Sequence, residues 1–274
     1  MVKNEDLRVQ LALRNIIDFC DKIYVLDNYS EDNTYEYLEE MAQKFSNIEL
    51  HRIHDTKSSH DFISHYAGGH YWIFGVDGDE IYDPKRLIRF KKSLKNGKYD
   101  QTFSFYGHTL NCESIGDVTK KAIGYITPCA KSVTKLYNFN AINSWVNCPD
   151  ERLHSGDIDF KDGWHYNLKY PYMNEVSWEE AEFRCLHTCF MRRSSYESHE
   201  LNQYARQNIY DQSDNPYAHL PWYSKWWYNR LSLWGAFSKS KQSRWKLDKY
   251  KQGSKVTCDI TPFLNYKDEV RAVF

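Results

Sequence analysis

The sequence has little of what would place it in a membrane, in a disulfide scaffold or on nucleic acid. No apolar run approaches the roughly 20 residues that a membrane-spanning helix needs. Met1 is followed closely by the charged Lys3, Glu5 and Asp6, so no secretory leader is expected. The seven cysteines are odd in number and scattered, with no Cys-x-x-Cys pair. That removes the usual zinc and dithiol signatures and leaves reduced thiols in a cytoplasmic setting as the expectation. Cys185 and Cys189 stand four apart, but no second pair with metal spacing accompanies them. With 36 Lys and Arg against 37 Asp and Glu the net charge is -1, which gives no general grip on a phosphate backbone. Nucleic acid is therefore not an expected partner.

What is present is a globular composition. The chain has 274 residues, 41% of them apolar, enough for one large domain or two small ones with a real core. Aromatics make up 16%, including 22 Tyr and 9 Trp, which suits planar platforms for nucleobases or sugars. The most informative stretch is Tyr71-Trp72-Ile73-Phe74-Gly75-Val76-Asp77-Gly78-Asp79-Glu80. Its apolar run reads as a strand buried on both faces that stops at three carboxylates. Open α/β sheets place ligands at that end of a strand. Crowded carboxylates repel unless a proton or cation relieves them, and a hard divalent ion with open positions for phosphates is the natural partner. A solvated acidic turn is the plain alternative.

Along the chain, Met1 to Asn4 reads as the tail of a strand, followed by a helix with Leu13, Ile16, Ile17 and Cys20 on its inner face. Lys22 to Leu26 is a strand ending at Asp27, and Ser30 or Asp32 caps a helix buried through Tyr35, Leu38, Ala42 and Phe45. Ile48 to Ile53 is a strand, residues 57–67 a helix, and Asp83-Pro84 a helix start. This alternation implies a mostly parallel sheet with Asp27 and Asp77 to Glu80 on one edge. Strand-like runs follow at Thr102 to Tyr106 and Ser132 to Phe139. Residues 141–175 read as loops lining a cleft, and a helix is expected near Ser194 to Tyr210. Five of the nine Trp (Trp222, Trp226, Trp227, Trp234 and Trp245) lie in the tail, where residues 222–251 carry eight Lys or Arg against Asp248 alone. Such a segment either covers the core with its tryptophans or lies on a membrane surface or an anionic or glycan acceptor.

Four ordered pieces resemble the inverting glycosyltransferases of family 2, which have the GT-A fold. They are Val2-Lys3-Asn4-Glu5, then Leu26-Asp27-Asn28-Tyr29-Ser30-Glu31-Asp32-Asn33-Thr34, then His60-Asp61-Phe62 before Ala67-Gly68-Gly69, and finally Val76-Asp77-Gly78-Asp79-Glu80. The resemblance implies an α/β fold with a mostly parallel central sheet flanked by helices. It implies a catalytic domain over residues 1–195, with residues 1–100 binding nucleotide and residues 101–195 facing acceptor. Residues 196–274 then form a helical, basic and Trp-rich extension. It places Val2, Glu5, Asp27 and Asp61 around the nucleotide, Asp77 near ribose and metal, and Asp79 on the metal. The implied substrates are a nucleotide-sugar donor, UDP-linked by family frequency, and a glycan, lipid-linked or protein acceptor. The implied cofactor is Mn2+ or Mg2+. Cys148-Pro149-Asp150-Glu151-Arg152-Leu153 is similar to the family segment that carries the catalytic base. Glu151 takes the Glu position and Asp150 replaces a His, so either is a candidate base. As plain loop charges they would pair with Arg152 instead. His187 resembles the late histidine that completes the metal shell or touches the diphosphate. His60 stands where the family usually has Arg, with Lys57 as a substitute cation. The expected setting is cytoplasmic, with the tail as a candidate peripheral membrane contact.

Two rival readings differ in class. An apolar strand ending in Asp-x-Asp also resembles haloacid-dehalogenase phosphatases, with Asp77 as nucleophile, but Glu80 and Ile81 occupy places where that family has a small hydroxyl residue. A non-catalytic nucleotide- or glycan-binding module of the same fold is the other.

Overall fold

A computed structural model describes residues 1–126, 136–148, 156–171, 175–196 and 250–264. The N-terminal arm enters as a single parallel bridge between Val2 and Asp27. Val2 N–H donates to the Leu26 carbonyl at 2.9 Å, and its own carbonyl accepts from Asn28 N–H at 2.9 Å. Helix α1 (Val9–Ile16) follows, with Leu13 and Ile16 buried as their spacing requires. Strand β1 (Ile23–Asp27), helix α2 (Thr34–Lys44) and strand β2 (Ile48–Arg52) then form a βαβ unit. Its strands pair in parallel from Ile23 opposite Ile48 to Asp27 opposite Arg52. The N-cap of α2 is Asn33, without a side-chain cap bond, where Ser30 or Asp32 was expected; the Asp32 carboxylate accepts Thr34 N–H at 3.0 Å just ahead of it.

Residues expected as a helix over 57–67 form two 3-10 turns instead, Thr56–Phe62 and Ser64–Tyr66. Short polar side chains compete there for backbone groups: the Asp55 carboxylate accepts Lys57 N–H, and Ser58 Oγ donates to the Asp55 carbonyl at 2.7 Å. Strand β3 (Trp72–Phe74) is shorter than its apolar run and half buried, not covered on both faces. It is an edge strand. After the acidic turn come β4 (Glu80–Tyr82) and α3 (Pro84–Lys95), which Asp83 caps through Arg86 N–H at 3.2 Å with Pro84 in the first turn.

The remaining strands are β5 (Ser104–Tyr106), β6 (His108–Gly116), β7 (Lys121–Ile126), β8 (Leu136–Asn138), β9 (Ile142–Val146), β10 (Asp157–Phe160), β11 (Lys169–Pro171), β12 (Arg184–His187) and β13 (Ser254–Asp259). One sheet runs β11-β5-β8-β3 and another β13-β7-β6-β12-β4. The expected mostly parallel sheet is mixed. Parallel pairing joins β1 to β2, β5 to β11 and β6 to β12, and every other described ladder is antiparallel. Antiparallel neighbours accept short turns such as that between β6 and β7, whereas parallel neighbours need a long crossover. Residues 141–175, expected as loops, hold the β9–β10 ladder, whose Ile142 and Trp145 are buried.

Helix α1 serves two cores. Leu13 packs with Val25, Leu38, Phe90, Phe105 and Phe183. Leu11 packs with Ile81, Leu110, Leu186, Ile260 and Phe263. Buried Asn15 donates its amide to the carbonyls of Tyr82 at 2.8 Å and Phe263 at 2.7 Å. The chain near residue 260 thus shares the core and sheet of the earlier strands. The described part of the expected helical extension is a strand and a 3-10 turn, Thr261–Phe263. The tail tryptophans and most of the helix expected over 194–210 lie outside the described residues. Among the described residues no helix is long and apolar enough to cross a membrane.

His108 gives the fold a dependence on pH. It is buried, and its Nε2 lies 2.6 Å from the Val176 carbonyl, which can only accept, so Nε2 carries the proton. Burial holds its pKa below the usual 6.5, the carbonyl contact opposing and Arg184 reinforcing that shift. The unfolded chain therefore binds a proton that the folded chain resists as the pH falls through 6.5, and stability declines there. Urea unfolding across this range is expected to give a smaller decline for His108→Asn than for the wild type. Equal declines would show that His108 does not contribute.

Candidate active site

Asp27 ends β1 fully buried. Its carboxylate accepts Ser30 N–H at 3.2 Å and pairs with Arg52 Nε at 3.2 Å. The Arg52 guanidinium lies 3.6 Å from the centre of the Tyr35 ring and 5.4 Å from that of Tyr29. Tyr29 is exposed, and its ring stacks on His54 at 3.8 Å. Asn28 ties this loop to β2's exit by donating to the Ile53 carbonyl at 2.8 Å. The carboxyl end of β1 therefore carries a buried anion beside a cation and a flat aromatic surface.

The Asp77-Gly78-Asp79 turn meets the same N-terminal arm. A Cβ on Gly78 would stand 2.0 Å from Glu5 Oε2 and 3.1 Å from Val2 Cγ1. Val2 thus touches the turn with its side chain while its backbone bridges Asp27, so both acidic strand ends border one arm. Asp77 is exposed on the lip of the turn, and its N–H donates to the buried Glu80 carboxylate at 3.2 Å. Asp79 is 8% exposed, and its carbonyl is held by Thr188 N–H at 2.9 Å and Thr188 Oγ1 at 3.2 Å. Its carboxylate faces His187, with Oδ2 and Nε2 3.7 Å apart. His187 is opposite Glu80 in the β12–β4 ladder, which brings β12's end to the turn.

These two groups suit a shared cation. Donors about 2.1 Å from one ion lie roughly 3 to 4 Å apart, according to the angle between them. The carboxylate, with the remaining positions open to phosphate oxygens, fits Mn2+ or Mg2+, and the imidazole nitrogen favours the softer Mn2+ of the two. Among the described residues no group of three or more His, Cys, Asp and Glu side chains is placed to hold a metal ion, so Asp77, expected near ribose and metal, does not join Asp79 and His187 in a three-ligand set.

The segment after β12 closes over the arm. Glu5 is buried and its Oε1 pairs with Arg193 Nη1 at 3.3 Å. Leu7 N–H donates to the Arg193 carbonyl at 3.2 Å, and Arg8 donates to that of Arg192. The Asp6 carboxylate accepts Ser195 N–H at 2.8 Å. Sequence reasoning missed this clasp and Arg52, because single arginines in irregular segments carry no periodicity. Asp61 is exposed and His60 half buried in the 3-10 turn after β2. Asp150 and Glu151 lie outside the described residues.

Gly78→Ala tests the contact between arm and turn. Glu5 is buried and held by Arg193, so it cannot easily yield to a methyl group. Overpacking of this kind costs about 1–3 kcal/mol. Urea unfolding is expected to show that loss; unchanged stability would mean that the arm and the turn do not touch.

A family model described as Glycosyl transferase family 2 matches residues 1–199, a span that holds the N-terminal arm, both acidic strand ends and His187. No curated protein matches the chain. Members of that family generally use nucleotide-sugar donors, often with divalent metals. With most of its length matched and a mixed α/β core beneath, the chain belongs to glycosyl transferase family 2, has the GT-A fold and is a glycosyltransferase.

Proposed function

We propose that the chain is a metal-dependent, inverting glycosyltransferase of the hexosyltransferase type that takes its sugar from a UDP-linked donor. The observation that carries this reading is the Asp79–His187 pair, 3.7 Å between Oδ2 and Nε2, beside an arm that also borders Asp27. Asp79 and His187 would hold Mn2+ or Mg2+, which as a Lewis acid offsets charge on the departing diphosphate. Asp77, exposed on the turn, would contact the ribose. Asp27, with Val2, Glu5 and Asp61, borders the nucleoside, and the Tyr29–His54 stack supplies a flat surface beside it. Glu151 or Asp150 takes the proton from the attacking acceptor hydroxyl, on the face of the sugar opposite the diphosphate. That single displacement inverts the anomeric carbon. The acceptor is a glycan, a lipid-linked glycan or a protein hydroxyl. The setting is cytoplasmic, with the basic tail over 222–251 as a peripheral membrane contact.

A thermal-shift screen of nucleoside diphosphates, with and without Mn2+, tests the donor class. A ligand that binds only the folded state raises its melting point. UDP is expected to do so only with the metal. If no nucleoside diphosphate shifts the protein, the reading fails. Sugar release from the bound donor then separates an enzyme from a binding module.

A further inference from the structure

The chain beyond residue 199 lies outside the matched family span, yet it touches the candidate site at Tyr250. Asn111, on β6, is fully buried and stands opposite His187 in the parallel β6–β12 ladder. Its side-chain amide bridges the two: Nδ2 donates to the Tyr250 carbonyl at 3.2 Å, and Oδ1 lies 2.8 Å from His187 Nδ1. The Tyr250 ring also meets the His187 ring edge-on, with centres 5.3 Å apart.

The orientation of that amide follows from chemistry. A backbone carbonyl can only accept, so the amide nitrogen must face Tyr250 and the amide oxygen must face β12. The oxygen in turn cannot donate, so His187 Nδ1 must carry a hydrogen. The Cys189 thiol, 3.7 Å from the same oxygen, is a second, weaker donor to it. A neutral His187 then has its lone pair on Nε2, the atom that faces Asp79. The opposite tautomer would set two acceptors against each other at Asn111 and place a hydrogen where a cation's ligand is needed.

We propose that Asn111, oriented by the main chain at Tyr250, is a positioning residue that fixes His187 in its Nδ1–H tautomer and aims Nε2 as an electron-pair donor toward Asp79. The C-terminal segment thereby becomes part of the donor site without touching the donor. This rests on the reading that Asp79 and His187 share a cation. Partners of this outer kind typically change metal affinity about 10- to 100-fold.

The test is two-bond 1H–15N correlation on the full chain, labelled at histidine, free of metal and held at about pH 8, above the usual imidazole range. The wild type is expected to give the Nδ1–H pattern for His187. Asn111→Asp, which keeps an acceptor toward the ring while losing the donor to Tyr250, is expected to retain it, whereas Asn111→Ala is expected to shift it toward Nε2–H. An Nε2–H wild type overturns the proposal, as does an unchanged tautomer in Asn111→Ala. Should the alanine variant fail to fold, the wild type and Asn111→Asp still decide. Electron paramagnetic resonance titration of Mn2+ with UDP present is expected to show affinity weakened about 10- to 100-fold in Asn111→Ala and kept in Asn111→Asp. Equal affinity in all three forms also overturns the proposal. A wild type that binds no Mn2+ with UDP removes the donor reading, while the tautomer result still decides the assignment of His187.

Discussion

Asp79→Ala is expected to abolish the manganese-dependent rise in melting temperature with UDP and to lower kcat/KM on the order of a hundred- to a thousandfold. Lewis-acid stabilisation of a leaving group is worth several kcal/mol, and each decade of rate corresponds to about 1.4 kcal/mol. The substitution removes one of the two facing donors and keeps the backbone anchors. Thr188 holds the Asp79 carbonyl, not the carboxylate, and His187 stays paired with Asn111. The variant should therefore fold. Melting curves with and without Mn2+ separate the outcomes: an unaltered metal-dependent shift would place the cation elsewhere.

Asp83→Ala is expected to cost about 3–5 kcal/mol in urea unfolding, a large part of a typical domain's stability. Asp83 is 1% exposed, and its Oδ2 receives Arg184 Nε at 3.2 Å and Nη2 at 2.8 Å. Arg184 is itself buried beside the rings of Trp178 and Phe263, 5.1 and 5.3 Å from their centres. Its Nη1 donates to the Trp178 carbonyl at 2.7 Å, so the guanidinium cannot swing out to water without unpacking the core. Without the carboxylate that cation is buried with its charge uncompensated, and α3 also loses its cap, worth about 1 kcal/mol. The loss would be felt at the site, because Asp83 and Arg184 lie on the same β4 and β12 chain segments as Asp79 and His187. Asp83→Asn keeps an acceptor for the cap and should lose less. Equal stability of Asp83→Ala and wild type would mean that Arg184 finds another partner.

The half of the fold written in local pattern was legible. The strand-helix-strand order of β1, α2 and β2 and the Asp83-Pro84 start of α3 stand where the residues put them, whereas α1 ends at Ile16, short of Cys20, and α2 buries Leu38 but leaves Tyr35, Ala42 and Phe45 half buried. The shared sheet edge expected for Asp27 and the acidic turn is not found: Asp27 ends β1 in the two-stranded β1–β2 sheet, whereas the turn runs from the β3 sheet to the β4 sheet and meets the N-terminal arm at Gly78. What failed was information that is not local. Pairing direction depends on which strands become neighbours, so the alternation of strands and helices over the first hundred residues suggested parallel order while β4 pairs antiparallel with β12. The β9–β10 ladder had a signal that was passed over: Asp157-Ile158-Asp159-Phe160 alternates with period two. The 3-10 turns at 56–66 were hidden because serine and aspartate side chains there take backbone bonds that a helix would use. Asn111 had no signal at all. A buried amide inside a strand reads as ordinary until the group at each end of it is known.

In the proposed function one cation sits between Asp79 and His187 and carries the nucleotide's diphosphate. Mn2+ is paramagnetic and broadens resonances close to it, so adding trace Mn2+ with UDP to histidine-labelled protein locates the ion among the chain's 11 histidines. Selective broadening of the His187 ring, absent in Asp79→Ala, is the expected result. Broadening centred on another histidine, or none when UDP is saturating, would contradict it.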